Sequence, residues 1–477
     1  MFAELKLPPA LLSAIKTLGY KNPTPIQQKG IPVLMEGGDL LAQAQTGTGK
    51  TTTFALPILS HVDLGVKSPQ ALIIAPTREL AIQVSQSFKN YGKDLNKLRV
   101  TTIYGGQDFK VQQNALKQGV HIVVGTPGRI MDHLRRKTLQ LDSIKTVVLD
   151  EADEMLRMGF IDDVEWILGN MKHKHQTALF SATFPKSIAQ IANRYLKDAQ
   201  RVVIKPEKNA VETIQQFCMC VPRHQKIDAL VHYLGSQDVQ AAIVFARTKD
   251  STTEIADKLK ENGFLAGALN GDLSQRMRER VMNQIKQGTL NIIVATDIAA
   301  RGLDIEHINH VINFDVPYDP ESYVHRIGRT GRAGRMGKAV LFFEPREQRL
   351  VRSIERFTGK TIKPIQPPTA SETNEHKRKQ LAEKIQNILQ KSKKVGSYRQ
   401  WIEDITDQFA CDSKDIAAAL AYLLSQPSLP EKKQMKEERF DRKKKPKFHK
   451  KGQKRHGSRS ESEHSRKRVN HKKRSRT

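Results

Sequence analysis

The chain has 477 residues, 79 Lys/Arg against 50 Asp/Glu, a formal net charge of +29 and 38% apolar residues. That length sets a prior of about three units, and the charge points to a polyanionic partner, nucleic acid first. No apolar run reaches the roughly 18 residues of a membrane span, and three cysteines are too few for a disulfide framework and mis-spaced for zinc.

In chain order, short apolar runs stop and small or polar segments follow at once. DLLAQA leads into QTGTGKT, ALIIA into PTREL, VTTIY into GGQ, HIVVG into TPGR, TVVL into DEAD and TALF into SAT. Amphipathic stretches with helical spacing, such as RELAIQVSQSFKNYGKDL, lie between them. Strands alternating with helices predict an α/β domain with a mostly parallel sheet, whose ligands bind beyond the C-terminal strand ends.

The second half repeats the scheme: AAIVF into ART, FLAGAL into NGD, NIIVA into TDIAARGLD, HVINF into DVP, then KAVLFF. Ahead of these, the alternating QQFCMCV predicts a strand with Cys218 and Cys220 on one face. The expected boundaries are domain 1 at 1–207, domain 2 at 208–362 and a Pro-rich linker at 363–373. The link between the domains is expected within KPEKNAV, 205–211. Three amphipathic helices are expected over 374–430, with Leu381, Ile385, Ile388 and Leu389 on one face of the first. Tyr398, Trp401, Ile402, Ile405 and Phe409 mark the second, and Ile416, Leu420, Leu423 and Leu424 the third. A helical piece this small is expected to pack on a neighbour or on a second copy of itself. Residues 431–477 carry 21 Lys/Arg against 6 Asp/Glu and almost no apolar residues, so a disordered basic tail is expected.

The chemistry starts at the Gly-rich turn. Thr46-Gly47-Thr48-Gly49-Lys50-Thr51 between strand and helix aims backbone N–H groups at phosphate. Lys50 neutralises phosphate charge there, and the Thr51 hydroxyl suits Mg²⁺. The usual pattern opens with Gly, and Ala44 stands there instead. The decisive partner is Asp150-Glu151, an acidic pair at the end of an apolar run. Asp150 suits Mg²⁺ and Glu151 suits orienting or deprotonating water.

Asp150-Glu151-Ala152-Asp153, with the order and spacing of the segments around it over roughly residues 2–345, resembles the DEAD-box family of ATP-dependent RNA helicases. The resemblance implies two tandem RecA-like domains. It also implies ATP with Mg²⁺ as cofactors, RNA-stimulated ATP hydrolysis, and local opening of short RNA duplexes as the domains close. It makes Phe2, Tyr20 and Gln27 the adenine-sensing set, Tyr20 stacking on the base and Gln27 bonding its edge. Ser181 and Thr183 would couple hydrolysis to movement through Asp153. In HRIGRTGR, Arg329 and Arg332 would be arginine fingers and His325 part of the water network near Glu151, with Asp304 on the ribose. Read without the family, that basic Gly-rich loop serves equally as an RNA-phosphate contact. The segments implied to touch RNA, without reading bases, contain Thr77, Arg78, Glu79, Gly105, Gly106, Thr126, Gly128 and Arg129. In the second half they contain Arg247, Gly271, Gln275 and Thr296. Asn270 departs from the His of many members.

The helical piece resembles the dimerisation segment of bacterial cold-shock-type members, which implies a homodimer. For the tail, RNA tether, solubilising segment and nuclear address stand as alternatives. The N-terminus lacks a secretory signal pattern, so a cytoplasmic protein is expected. Expected partners are single-stranded or short duplex RNA, ribosomal precursors and the RNA-decay machinery, with roles in ribosome assembly, RNA decay or cold adaptation and no membrane.

Overall fold

Six of the apolar runs in the first half become strands: β1 (Leu40–Gln43), β2 (Ala71–Ile74), β3 (Val100–Ile103), β4 (Ile122–Gly125), β5 (Thr146–Leu149) and β6 (Gln176–Ser181). The structure is a computed structural model that describes residues 1–45, 47–204, 214–300, 302, 303, 305, 307–331, 335–391, 395–409 and 411–425. A seventh strand, β7 (Gln200–Val203), is an addition to the expected series; only Val202 in it is buried, so no apolar run announces it. All pairs are parallel, in the order β3-β4-β2-β5-β6-β1-β7. Side chains alternate across the sheet. Ala71, Ile73 and Ala75 join Phe54, Phe88 and Phe180 on one face, while Leu72 and Ile74 join Ile130, Met155 and Ile188 on the other. Both faces are covered, which is why these strands read as unbroken apolar runs.

The second sheet contains β8 (Ile214–Cys220), β9 (Ala242–Phe245), β10 (Ala266–Leu269), β11 (Ile292–Ala295), β12 (His310–Asn313), β13 (Gly337–Phe343) and β14 (Lys363–Pro364). Its order, β10-β11-β9-β12-β13-β8-β14, repeats that of the first sheet strand for strand. The two halves are therefore tandem copies of one RecA-like fold. In β8, Cys218 is buried and Cys220 exposed, since the latter lies at the strand end.

Strand order decides what stands beside what. In the first sheet β5, β6 and β1 are adjacent, so the segments after them, DEAD, SAT and TGTGKT, share one end of the crevice. β3, β4 and β2 are adjacent too, which groups the GG, TPGR and PTREL segments at the other end.

The expected linker 363–373 is partly structured. Lys363–Pro364 is the edge strand, paired to β8, a position where a proline's missing N–H costs no ladder bond. The next helix starts at Ala370 rather than at 374. A reciprocal cap starts it, with Thr369 N donating to Glu372 Oε2 at 2.7 Å and Glu372 N to Thr369 Oγ1 at 3.2 Å. Thr373 is fully buried and donates to the carbonyl of His232 at 3.3 Å, docking Ala370–Lys391 on the helix Lys226–Gly235. Helices Val395–Phe409 and Ser413–Ser425 follow, and no described helix is long and apolar enough to cross a membrane. The expected inter-domain link, Lys205–Val211, and the basic tail, 431–477, lie outside the described residues.

Candidate active site

The turn after β1 needs left-handed backbone at Gly47 (φ 81°) and Gly49 (φ 93°). At Gly49 a side chain has no space either: a Cβ would stand 2.3 Å from Gln27 Nε2. Gln27 is buried and spends its amide on the loop, with Nε2 donating to Gly49 O at 3.2 Å and Oε1 accepting from Thr24 N at 2.9 Å. Thr24 Oγ1 donates to Thr48 O at 2.7 Å. The segment expected to sense adenine is thus built into the phosphate loop from behind. Tyr20 stands at its edge, 39% exposed, edge-on to Phe2 and Tyr91. Its hydroxyl lies 3.2 Å from that of Tyr91, which lies 2.9 Å from Thr52 Oγ1.

Lys50 and Thr51 open the helix Lys50–His61 and line a cavity of about 390 Å³ with Tyr20, Gly47, Asp150, Glu151 and Arg329. Lys50 Nζ and Asp150 Oδ1 are both buried and have no hydrogen-bond partner among the described residues. Burial pushes the Asp150 carboxyl up to about 6, against the pull of Lys50 and with the push of Glu151. A buried cation and a buried acid, each with an unspent polar atom, are what a phosphate–metal pair would satisfy. No cluster of three His, Cys, Asp or Glu gathers as a cage among the described residues. An ion here would therefore share its ligands with phosphate oxygens, as Mg²⁺ commonly does. Glu151 adopts a left-handed backbone (φ 52°), rare for a side chain of its type, at the sharp turn from β5 into the helix Ala152–Arg157. Asp153 accepts from Thr183 N at 3.0 Å and Thr183 Oγ1 at 3.1 Å, while Ser181 Oγ donates to Thr183 O at 2.6 Å. The strand neighbours β5 and β6 bring these segments together.

From the second domain, the helix Pro320–Ile327 carries His325 and Arg326 to the same crevice. His325 Nδ1 lies 3.7 Å from Glu154 Oε1. Burial, opposed by Asp153 and reinforced by Arg157, Arg329 and Lys50, holds its imidazole down to about 4. Arg326 is structural: its guanidinium grips Asp297 at 2.6 and 2.7 Å and also reaches Asn313 Oδ1 and Asp315 O. Arg329 is buried, donates to Leu303 O at 3.2 Å and lines the cavity that holds Lys50. Thr46, Asp304 and Arg332 lie outside the described residues.

The segments expected to face RNA gather at the other end of the strand rows. Arg78 packs over the Gly105-Gly106 turn, where a Cβ on Gly106 would stand 2.6 Å from its Nη1. The same nitrogen donates to Gln275 Oε1 of the second domain at 3.0 Å, and Glu79 pairs with Arg278 across the same junction. Thr77 caps its helix by accepting from Leu80 N, and Gly302 backs onto it. Thr126 is an N-cap with its side chain unspent on the cap, and Gly128 faces open space. Arg129 donates to Gln107 O at 3.3 Å. Arg247 lies over the exposed Tyr318 ring, its N–H donating to Asp315 at 2.8 Å. Gly271 lies against Lys249, and Thr296 Oγ1 accepts from Ala299 N. Sequence reasoning passed over Arg278, Gln112 and the Arg157–Glu321 pair that joins the domains. Isolated charged residues in amphipathic helices carry no local signal of a partner more than 150 residues away, and the Gln112 partners, though within 21 residues, lie on other elements that no helical period connects.

Comparison with known proteins identifies the family. The DEAD/DEAH box helicase family profile matches residues 24–191, the helicase conserved C-terminal domain 225–334, and the RNA helicase DeaD dimerization domain 368–438. The chain is 47% identical to the ATP-dependent RNA helicase DeaD of Haemophilus influenzae over 93% of its length and 74% of the relative's. It is 47% identical to the protein of the same name from Escherichia coli, over 89% of this chain and 67% of that one. The structure of S. cerevisiae Dbp5 bound to RNA and ADP BeF3 superposes with a TM-score of 0.72 at 33% identity, covering 79% of this chain and 98% of that one. The chain belongs to the DEAD-box family of ATP-dependent RNA helicases.

Proposed function

We propose that ATP binding closes the two domains on each other, and that closure opens a short RNA duplex locally. The observation that carries this reading is the sharing of one cavity by Lys50, Thr51, Asp150 and Glu151 of the first domain and Arg329 of the second. The phosphate loop from Thr46 to Thr51 would hold the triphosphate, Lys50 its terminal phosphates, Tyr20 the adenine face and Asp304 the ribose; Gln27, whose amide braces the loop here, would reach the adenine edge only by giving up its bond to Gly49 O. Mg²⁺, shared between Thr51, Asp150 and the phosphates, would supply charge neutralisation. Glu151 would orient or deprotonate the attacking water, and Arg329 with Arg332 would stabilise charge on the transferring phosphoryl group. Asp153 would pass the change to Ser181 and Thr183. A site divided between two domains works only when they meet, so hydrolysis and domain movement are linked.

RNA would lie across the strand ends that carry Thr77, Arg78, Glu79, Gly105, Gly106, Thr126, Gly128 and Arg129, and across Arg247, Gly271, Gln275 and Thr296. These are backbone, hydroxyl and guanidinium groups, suited to phosphate and 2′-OH contact rather than base reading. Binding independent of sequence follows. The helical piece would join two copies, and work on ribosomal precursors, decaying RNA or cold-stabilised hairpins in the cytoplasm fits such an activity.

Glu151→Gln separates binding from chemistry. It should retain ATP affinity and lose about 10²- to 10⁴-fold in RNA-stimulated hydrolysis, the range for a positioned base. Strand displacement from a short duplex, followed with ATP and with a non-hydrolysable analogue, should then show one round of opening without turnover. Wild-type turnover in the variant would sink the assignment.

A further inference from the structure

Two segments read above as RNA contacts, the Gly105-Gly106 turn and the helix start Thr126–Arg129, are joined by one buried amide. Gln112 lies on the helix Phe109–Lys117 and is 1% exposed. Its Nε2 donates to the carbonyl of Tyr104, the residue before the turn, at 2.9 Å, and to Gln107 Oε1 just after it at 2.9 Å. Its Oε1 accepts from Arg129 Nη1 at 3.2 Å and lies 3.2 Å from His133 Nε2. Every polar position of the amide is committed, half to one segment and half to the other.

The support beneath the amide is rigid. His133 is fully buried, its Nδ1 2.8 Å from Thr138 Oγ1. Its ring stacks on Phe109, with centroids 4.3 Å apart and planes 12° off parallel. Oε1 of Gln112 can only accept, so the Nε2 facing it carries the hydrogen, while the Thr138 hydroxyl lies within reach of both Nδ1 and the carbonyl of His133, at 2.8 and 3.1 Å. The imidazole is the neutral form. Burial, then Arg129 and Arg136, hold it neutral down to about 4, against Asp132. Phe109 also carries cations: Arg129 lies 5.7 Å and Arg136 4.5 Å from its centroid.

We propose that Gln112 is a positioning residue for RNA binding, seated on His133 and Phe109, which locks the Gly105-Gly106 turn and Arg129 into one surface. Arg129 also feels Asp132, whose carboxylate is 3.7 Å from its Nε on the same helix. With Gln112 in place the guanidinium is held toward the turn by two acceptors, Gln107 O and Gln112 Oε1. Without it the side chain regains its rotamers, and Asp132 draws it along the helix. The surface then pays for ordering when RNA arrives, and affinity falls.

The inference rests on reading Arg129 as an RNA contact, and the experiment tells the two apart. The RNA concentration for half-maximal ATPase, and kcat at saturating RNA, are measured on the full chain for wild type, Arg129→Ala, Gln112→Met and the double variant. Gln112→Met keeps the length and removes both polar ends. It should raise the half-maximal RNA concentration about tenfold, the scale of a lost charge-assisted hydrogen bond, with kcat changed by less than about twofold. The double variant should fall short of the product of the two single effects, because part of what Gln112 does runs through that arginine. An active Arg129 with additive effects, or with a folded but unaffected Gln112→Met, overturns the positioning role alone. An inert Arg129→Ala overturns the contact assignment and this inference with it. If Gln112→Met melts well below wild type, Phe109→Leu replaces it, keeping apolar bulk and removing the flat stack. It should raise the half-maximal concentration about threefold, and an unchanged value there overturns the proposal.

Discussion

Burial tunes individual side chains in opposite directions. His133, His310 and His325 are each held down to about 4 from an ordinary 6.5, with burial the leading cause. His310 shows why: its Nδ1 meets Asn309 Oδ1 at 3.0 Å, while its Nε2 is buried with no partner among the described residues, so a second proton has no acceptor. Between pH 6.5 and 4 the unfolded chain binds more protons than the folded one, so stability falls as pH falls. Asp150, raised from 3.8 to about 6, works the other way: there the folded chain holds the extra proton, and stability falls as pH rises. These three oppose one, and burial lowers His121 and His232 in the same direction, so the melting temperature of the ligand-free protein should drop from pH 7 to pH 5. Thermal melts across that window check it, and a rise instead would mean that Asp150 dominates. At this scale the sequence was legible wherever chemistry follows residue type: a lysine after glycines, an acidic pair after an apolar run. It was silent on His133 and Gln112, whose importance lies in what surrounds them.

Among the elements, the most informative is the helical segment after the second sheet. Its first helix is fixed at one end by the Thr369–Glu372 cap and the buried Thr373. Farther along, Ile388 and Leu389 are exposed at 55% and 63%, and Trp401 at 63% carries Tyr398 edge-on at 5.2 Å. An apolar face read from helical spacing is present but uncovered, which fits a surface that a second copy completes. Trp401→Glu should weaken self-association by about 30-fold or more, as expected for a central aromatic anchor. Sedimentation equilibrium would detect the change, and a wild-type assembly state would remove Trp401 from the interface. The helices themselves were legible because their period is local. The start at Ala370 was not, because a Pro-rich stretch looks like a linker whether or not its Lys363–Pro364 finds an edge to pair with.

For the whole molecule, charge is distributed as unevenly as function. The 47 residues from 431 to 477 hold 21 of the 79 Lys/Arg. A basic segment gains affinity by releasing counterions from the phosphate backbone, an effect that fades as salt rises. Removing 431–477 should therefore weaken RNA binding most at low salt and flatten the salt dependence, measured by fluorescence anisotropy. Equal affinity at low salt would exclude the tail as an RNA tether. By itself, the sequence determined the parts: which runs become strands, which turns bring glycines with a lysine and which an acidic pair, and that two such halves follow one another. Those features depend on neighbours a few residues apart. Only the tertiary structure decided the strand order, and through it the grouping of TGTGKT, DEAD and SAT at one end of the first sheet and of PTREL, GG and TPGR at the other. An apolar run reads the same whichever strand it pairs with, so order is settled by packing between residues far apart in the chain. The same holds for Arg329 of the second domain, brought to the cavity of Lys50 across 279 residues of chain.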